Sequence, residues 1–469
     1  MKMAGEPHSI VEYFSGHEGY SCGYCKGSNT NFSHGMWAHS LTVQDYQDLI
    51  DRGWRRSGKY CYKPTMHVTC CPHYTIKCEA GKFKMSKSHK KIIKTVNRYL
   101  IHGIKRGDGK EDQEESAAKG DNPVEPAPKE EISGKDETMK DSRKTPKPGL
   151  GADSNLPKAK KAKDIRKELK KKKQEATSSG DGEQAPVNDP DTPVSKPSTN
   201  EAKTLEDFLS EPDKAEKCAH KLEIKLVRSS PRSSEFNSSL KESYKIYRKY
   251  QMGIHLEEES DCNHDTYTGF LVDSPLEEEH TSKDLPLGYG SFHQQYILDG
   301  KVIAVGVIDI LPYCTSSVYL YYDPDYNFLS LGTYSALREI AFTRSLTKMA
   351  PALQYYYMGY YIHSCPKMVY KGQYYPSFLL CPETYTWHPI EECKPKLDVS
   401  KYSRFADSDV EDENGKIDLD KVTILFMRQM MTYDIYKALN PKAKDAKEVL
   451  EYSKFVGKKC AERMLLCRK

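Results

Sequence analysis

Between Thr42 and Ile50 the apolar side chains Val43, Tyr46, Leu49 and Ile50 recur at helical spacing, which predicts an amphipathic helix. Tyr60 to Val68 holds short β-prone stretches broken by Pro64, which has no amide to give a ladder. A second helix is predicted behind Ser88 as its cap, with Ile92, Ile93, Val96, Tyr99 and Leu100 apolar and Lys and Arg between them. From Lys221 to Arg228 apolar and charged residues alternate, as in a strand with one wet face. Phe236, Leu240, Tyr244 and Tyr247 mark a third helix. The strongest β signal is a hairpin, Phe292 to Leu298 and Lys301 to Leu311 around the turn Asp299-Gly300. A strand at Ser317 to Tyr322, a helix at Leu329 to Leu346 with Tyr334, Leu337 and Ile340 inward, and a strand at Leu353 to Ile362 follow.

Hairpin, strand, helix and strand in that order predict an N-acetyltransferase-like (GNAT-like) core. Around 105–203 the pattern breaks down: Gly, Pro, Ser, Glu and Lys dominate and aromatic residues vanish, so burial cannot offset the entropy of ordering. The expected fold is therefore mixed α/β (α+β) in three parts. An N-terminal cysteine-rich metal-binding domain spans 8–104, a disordered charged linker 105–203 and the C-terminal GNAT-like core 204–469. Inside the linker the basic run Lys158 to Gln174 fits a solvated segment, a nuclear-import signal or a nucleic-acid contact. Mean hydropathy of −0.75 agrees with much of the length lying outside a core. A formal charge of +4 over 469 residues says little about partners.

The N-terminal residues contain no apolar run of a secretory signal, and no stretch approaches the ~20 apolar residues of a membrane helix. No membrane partner is expected, and the thiols should stay reduced, so the 14 Cys read as core residues, metal ligands or redox groups. Cys22-Gly-Tyr-Cys25 on a tight turn can converge two thiolates on one ion, and Cys70-Cys71 can complete the set. An adjacent pair departs from a second C-x-x-C, which leaves His17, His34, His39, Cys61, His67, His73 and Cys78 as substitutes and buried or reactive thiols as the plain alternative. Four thiolates suit zinc or an iron–sulfur cluster, and spacing does not choose between them.

Trp54, Arg55, Arg56 and Lys59 place cations beside aromatic rings, suited to a carboxylate or phosphate or to a solvated surface. Lys87, His89, Lys90 and Lys91 form a second basic group. Among the later residues Asp309 interrupts an apolar strand and needs a partner if buried. Asp323 and Asp325 stand at a strand-to-helix junction, either as ligand contacts or as caps. His293 is a candidate proton acceptor or a satisfied structural histidine, and Gln295 shares its strand. Ser330-Leu331-Gly332 offers a single Gly where a pyrophosphate loop would enter the helix, too little for such a loop, so coenzyme A is not expected as donor.

The blocks CGYCK (Cys22 to Lys26), GMWAHSLTVQDYQDLIDRGWRRSGKY (Gly35 to Tyr60), TCCPHYTIKC (Thr69 to Cys78) and SKSHKK (Ser86 to Lys91) resemble the arginyl-tRNA–protein transferase family. Gly288 to Pro312, Ser316 to Tyr326, Leu331 to Arg344 and Tyr355 to Tyr374 extend the resemblance through the second part. It implies transfer of arginine from arginyl-tRNA to the α-amine of proteins beginning with Asp, Glu or oxidised Cys, which marks them as N-degrons for ubiquitin-dependent degradation. It also implies a zinc or iron–sulfur site at Cys22, Cys25, Cys70 and Cys71, a monomer, and residence in cytoplasm and nucleus. On that reading Trp54, Arg55, Arg56 and Lys59 take the acidic first residue, and Asp309, Asp323 or Asp325 the arginyl guanidinium. Lys87, His89, Lys90 and Lys91 take tRNA phosphates, and the catalytic group is unassigned beyond His293 and Gln295. A non-catalytic zinc-dependent RNA-binding adapter and an acyl-CoA acetyltransferase are the competing readings.

Overall fold

The computed structural model describes residues 7–16, 18–105, 203–280 and 285–468. All but the end residues of the expected linker, with its basic run, lie outside the described residues, as does His17. Before that segment run β1 Ile10–Phe14, β2 Ser33–Ser40, helix α1 Val43–Ile50, β3 Arg55–Ser57, β4 Tyr60–Pro64, β5 Tyr74–Glu79 and helix α2 Lys87–His102. After it come β6 Leu222–Ser230, helix α3 Ser234–Tyr250, β7 Gly290–Leu298, β8 Lys301–Ile310, β9 Cys314–Tyr322 and helix α4 Leu331–Thr347. Next are β10 Tyr355–Tyr361, β11 Ser377–Leu380, β12 Trp387–Pro389, β13 Thr423–Phe426, β14 Gln429–Thr432 and β15 Leu465–Arg468.

The hairpin forms where the turn residues predict it. Asp299 and Gly300 both take positive φ, 50° and 83°, the twist a two-residue turn needs between β7 and β8. Helix α2 begins one turn-step earlier than expected. Its cap is Ser86, whose hydroxyl accepts from the His89 amide while His89 Nδ1 accepts from the Ser86 amide. A reciprocal cap satisfies two orphan amides, and Ser88 offers no such pair.

The strands make an eight-stranded sheet in the order β12-β11-β5-β10-β9-β8-β7-β6 and a seven-stranded sheet in the order β14-β13-β15-β1-β2-β4-β3. The run β7 to β10 is antiparallel except for β9 and β10, which lie parallel with α4 as their crossover. The mixed α/β fold is thus the expected one, and this strand order is consistent with a GNAT-like core. Residues 8–104 and 204–469 share both sheets: β5 sits between β11 and β10, and β1 pairs with β15. The two stretches accordingly belong to one compact unit. Buried Tyr46, Leu49, Trp54, Ile308, Leu353 and Tyr452 share a core cluster drawn from both ends of the chain.

A cationic cavity beside a thiol cluster

The parallel ladder of β9 and β10 pairs Tyr355 with Cys314, Tyr356 with Thr315 and Tyr357 with Ser316, and goes no further. Beyond that point β10 is bent: its register against β5 shifts between Tyr357 and Tyr360, and Gly359 takes a φ of 68° that a side chain would resist. The strands part, and a cavity of about 550 Å³ lies in the gap. Its walls include Ser317, Tyr319, Tyr356 and Tyr360 from the sheet and Gly332 and Ser335 from the first turns of α4.

Arg55, Arg56, Lys367 and Lys371 border this cavity, and among the described residues no carboxylate does. The buried guanidinium of Arg55 donates to the carbonyls of Trp54 at 2.6 Å and Gly359 at 3.1 Å, while its Nε has no partner. Lys371 donates to the carbonyl of Tyr360 at 3.0 Å. Burial, with Arg55 close by, pushes its amine down to about 7. Arg55, which also lies over the Tyr360 ring at 5.1 Å, and Lys371 have no carboxylate partner among the described residues, which makes a site that favours an anion.

Cys22, Cys25, Cys70 and Cys71 bring their sulfurs within 4.8 Å of one another, with Cys25 and Cys70 3.4 Å apart. The geometry comes from a short loop in which Lys26 and Asn29 take positive φ and the Cys22 amide donates to the Gly27 carbonyl at 2.9 Å. Cys70 is docked by its amide on the Thr30 carbonyl at 2.9 Å. These four residues could hold a metal ion, and an all-thiol donor set fits a soft or borderline one. Of the substitutes, Cys61 and Cys78 are core residues whose thiols burial pushes up to about 12. His34 bonds Tyr13 at 3.1 Å, His39 lies 3.7 Å from Glu12, and His67 packs near Tyr402. His73 has its ring between Tyr24 and Tyr360, and burial holds it down at about 4. Tyr24, inside the C-x-x-C, also borders the cavity, so the cluster and the cavity share a wall.

Other expected residues sit differently. Trp54 is fully buried and donates its Nε1 to the Phe455 carbonyl at 3.1 Å, a core role. Lys59 lies at the turn into β4 and is not among the residues bordering the cavity. Arg56 borders the cavity but is bound to Asp309 by two hydrogen bonds of 2.9 and 2.7 Å. Asp323 receives Lys249 and Lys301, Asp325 receives the same Lys249, and Asp323 also accepts from the Asp325 amide as a turn cap. His293 is buried against Phe236, its Nε2 2.9 Å from the Leu271 carbonyl, and burial pushes it down to about 4. Gln295 donates to Ser239 at 2.6 Å, and neither residue borders the cavity. Lys87 and Lys91 are exposed at the start of α2, with Lys90 half-buried. His89 is instead buried and stacks on the cavity residue Tyr374, ring centroids 4.9 Å apart. Lys367 and Lys371 lie within the block Tyr355 to Tyr374, but no local pattern singles them out, because their place at the gap depends on the bend within β10.

The cationic cavity between parting parallel strands defines the site of a mixed α/β protein, and comparison with known proteins defines its family. Residues 20–91 match the family description "Arginine-tRNA-protein transferase, N terminus" and residues 242–381 its C-terminus counterpart. Arginyl-tRNA–protein transferase 1 of Drosophila melanogaster is 43% identical over 489 residues, spanning 97% of this chain and 99% of the relative. Arginyl-tRNA–protein transferase 2 of Arabidopsis thaliana is 36% identical over 82% of this chain and 75% of its own length. An aspartate/glutamate leucyltransferase of Pseudomonas aeruginosa (strain LESB58) is 36% identical over 33% of this chain and 56% of the relative. The chain belongs to the arginyl-tRNA–protein transferase family.

Proposed function

We infer that this chain transfers arginine from arginyl-tRNA to the α-amine of proteins that begin with Asp, Glu or oxidised Cys, marking them for ubiquitin-dependent degradation. Beside the family membership, the observation that carries the reading is the cavity: Arg55, Lys367 and Lys371 have no carboxylate partner and no carboxylate borders the cavity among the described residues, which suits an acceptor whose first side chain is acidic. Arg55, Lys367 and Lys371 receive that side chain, and Arg56 supports the wall through its pair with Asp309.

The chemistry asks little of any one side chain. The ester of an aminoacyl-tRNA is already activated, so alignment of amine and carbonyl supplies most of the rate. The neutral amine attacks the ester carbon, the new C–N bond forms, the C–O bond to the ribose breaks, and the proton lost by nitrogen goes to the released ribose hydroxyl. With an α-amine pKa of about 7.7–8.0 a useful fraction is neutral without a strong base. Exposed Lys87 and Lys91, with Lys90, take phosphates of the acceptor end, and the tyrosines of the cavity wall stack its terminal base. Cys22, Cys25, Cys70 and Cys71 would hold zinc or an iron–sulfur cluster, which would tie the loop that carries Tyr24 to the segment before β5, and a cluster would add redox sensitivity.

The protein acts as a monomer in cytoplasm and nucleus on this reading. No helix of the described residues is long and apolar enough to cross a membrane. The test is transfer of labelled arginine from charged tRNA to a peptide beginning with Asp and to one beginning with Gly. Labelling of the Asp peptide alone is expected. Equal labelling, or tRNA binding with no product, would make the chain a non-selective transferase or an RNA-binding adapter.

A further inference from the structure

An enzyme for arginyl groups has to meet a guanidinium, and the carboxylates singled out in the sequence are already occupied. Asp309 is matched by Arg56, Asp323 by Lys249 and Lys301, and Asp325 by Lys249. Glu339, on the sheet-facing side of α4, is different. Its side chain is buried, its Oε2 accepts from the Tyr356 hydroxyl at 2.6 Å, and Ser317 supplies a second hydrogen bond. No cation pairs with it among the described residues. A buried carboxyl held by two neutral hydroxyls and no cation is costly to ionise, so an incoming cation has much to gain by meeting it.

Two further observations point the same way. Tyr356 and Ser317 both border the cavity, so Glu339 stands one side chain behind the wall where β9 and β10 part. On the opposite side, a Cβ at Gly306 would come within 2.9 Å of its Oε1, so β8 leaves room for the carboxylate and for nothing larger.

We propose that Glu339 is the specificity-determining residue for the donor, its carboxylate receiving the guanidinium of the arginyl group through the gap between Ser317 and Tyr356. The proposal rests on the transferase reading. It explains a division of the cavity: cations near Arg55 and Lys371 hold the acidic acceptor, and a recessed anion holds the basic donor. Opposite charges around one cavity hold acceptor and donor side by side, and each charge rejects the other's substrate.

The test uses two nearly isosteric donors, arginyl-tRNA and citrullyl-tRNA prepared on the same tRNA, with the full-length protein and an Asp peptide; the ureido oxygen of citrulline replaces one guanidinium NH2, removing the charge and that donor. The wild type should prefer arginyl by on the order of 100-fold in kcat/KM, since a site built for a charged hydrogen-bonding group rejects its neutral analogue strongly. Glu339→Gln should lose about that factor with arginyl and little with citrullyl, so the preference collapses, while the KM for the peptide holds. Glu339→Asp should keep part of the preference. An unchanged preference in Glu339→Gln, or equal loss of both donors in a variant that melts like wild type, overturns the proposal. If Glu339→Gln fails to fold, the Glu339→Asp preference decides: a reduced but still measurable preference for arginyl supports the assignment, and a preference and rates equal to wild type overturn it. Absence of transfer from either donor in the wild type would instead overturn the transferase reading.

Discussion

The guanidinium of Arg56 on β3 closes on the carboxylate of Asp309 on β8 through hydrogen bonds of 2.9 and 2.7 Å, with both side chains out of solvent. Asp309 also accepts from Ser291 at 2.6 Å, so its remaining lone pairs are used within the fold. A residue before the linker thus neutralises one after it, inside the shared core. This pair supports the cavity wall, and neither member is free to bind substrate.

Removing one member should therefore unfold more than it disables. Asp309→Asn leaves a buried guanidinium without a counter-ion, and the expected loss is about 3–5 kcal/mol. Urea unfolding of Asp309→Asn and of the double variant Asp309→Asn, Arg56→Met checks it. The double variant should recover part of the loss, and a fully stable, inactive Asp309→Asn would contradict the structural role.

Lys371 gives a prediction with a pH signature. Its amine titrates near 7 because burial and Arg55 depress it, so it is cationic below that pH and neutral above it. Binding of a blocked, non-reacting Asp peptide should weaken as pH rises through about 7 to 8, by roughly tenfold if a single charge-assisted hydrogen bond is lost. Lys371→Arg should flatten that dependence, because a guanidinium stays charged. A binding profile that is flat in wild type would remove Lys371 from the acceptor site.

The thiol cluster predicts which cysteines a metal needs. Cys71→Ser or Cys22→Ser should abolish stoichiometric metal in protein purified without oxygen, whereas Cys61→Ser should leave metal content unchanged, because Cys61 points into the core. Metal analysis together with the absorption spectrum distinguishes zinc from an iron–sulfur cluster. Metal retained at full stoichiometry by Cys71→Ser would place the site elsewhere.

Much of this architecture was legible in the sequence because its signals are local. The Asp299-Gly300 turn, the alternation through β6 and the apolar stripe of α4 each fix an element without reference to distant residues. Cys22, Cys25, Cys70 and Cys71 were legible for the same reason, as two short motifs. What the sequence concealed was non-local. Nothing in Tyr74 to Glu79 says that this strand will enter a sheet built from residues beyond 204, and nothing in Asp309 says that Arg56 will reach it. Glu339 escaped notice because a carboxylate on a helix is ordinarily read as solvated, and only the packing of Gly306, Ser317 and Tyr356 around it shows otherwise.

Glu339 also has a consequence for stability that needs no substrate. Burial pushes its carboxyl up to about 7 from an ordinary 4.5, with the bonds from Tyr356 and Ser317 offsetting part of the rise. The folded state thus holds this proton more tightly than the unfolded chain does. Below about pH 4.5 both states are protonated and there is no penalty. As pH rises toward 7 the unfolded chain has released the proton while the fold retains it, so stability falls, and above about 7 the loss is complete. The shift corresponds to on the order of 3 kcal/mol. Glu339→Gln keeps the shape and an acceptor for Tyr356 but cannot ionise, so it should be more stable than wild type at pH 8, with the difference shrinking toward pH 5. Paired urea titrations at the two pH values measure this directly. A variant that is equally or less stable at pH 8 would mean that the carboxylate already has its cation in the free protein, and that the recess is not waiting for one.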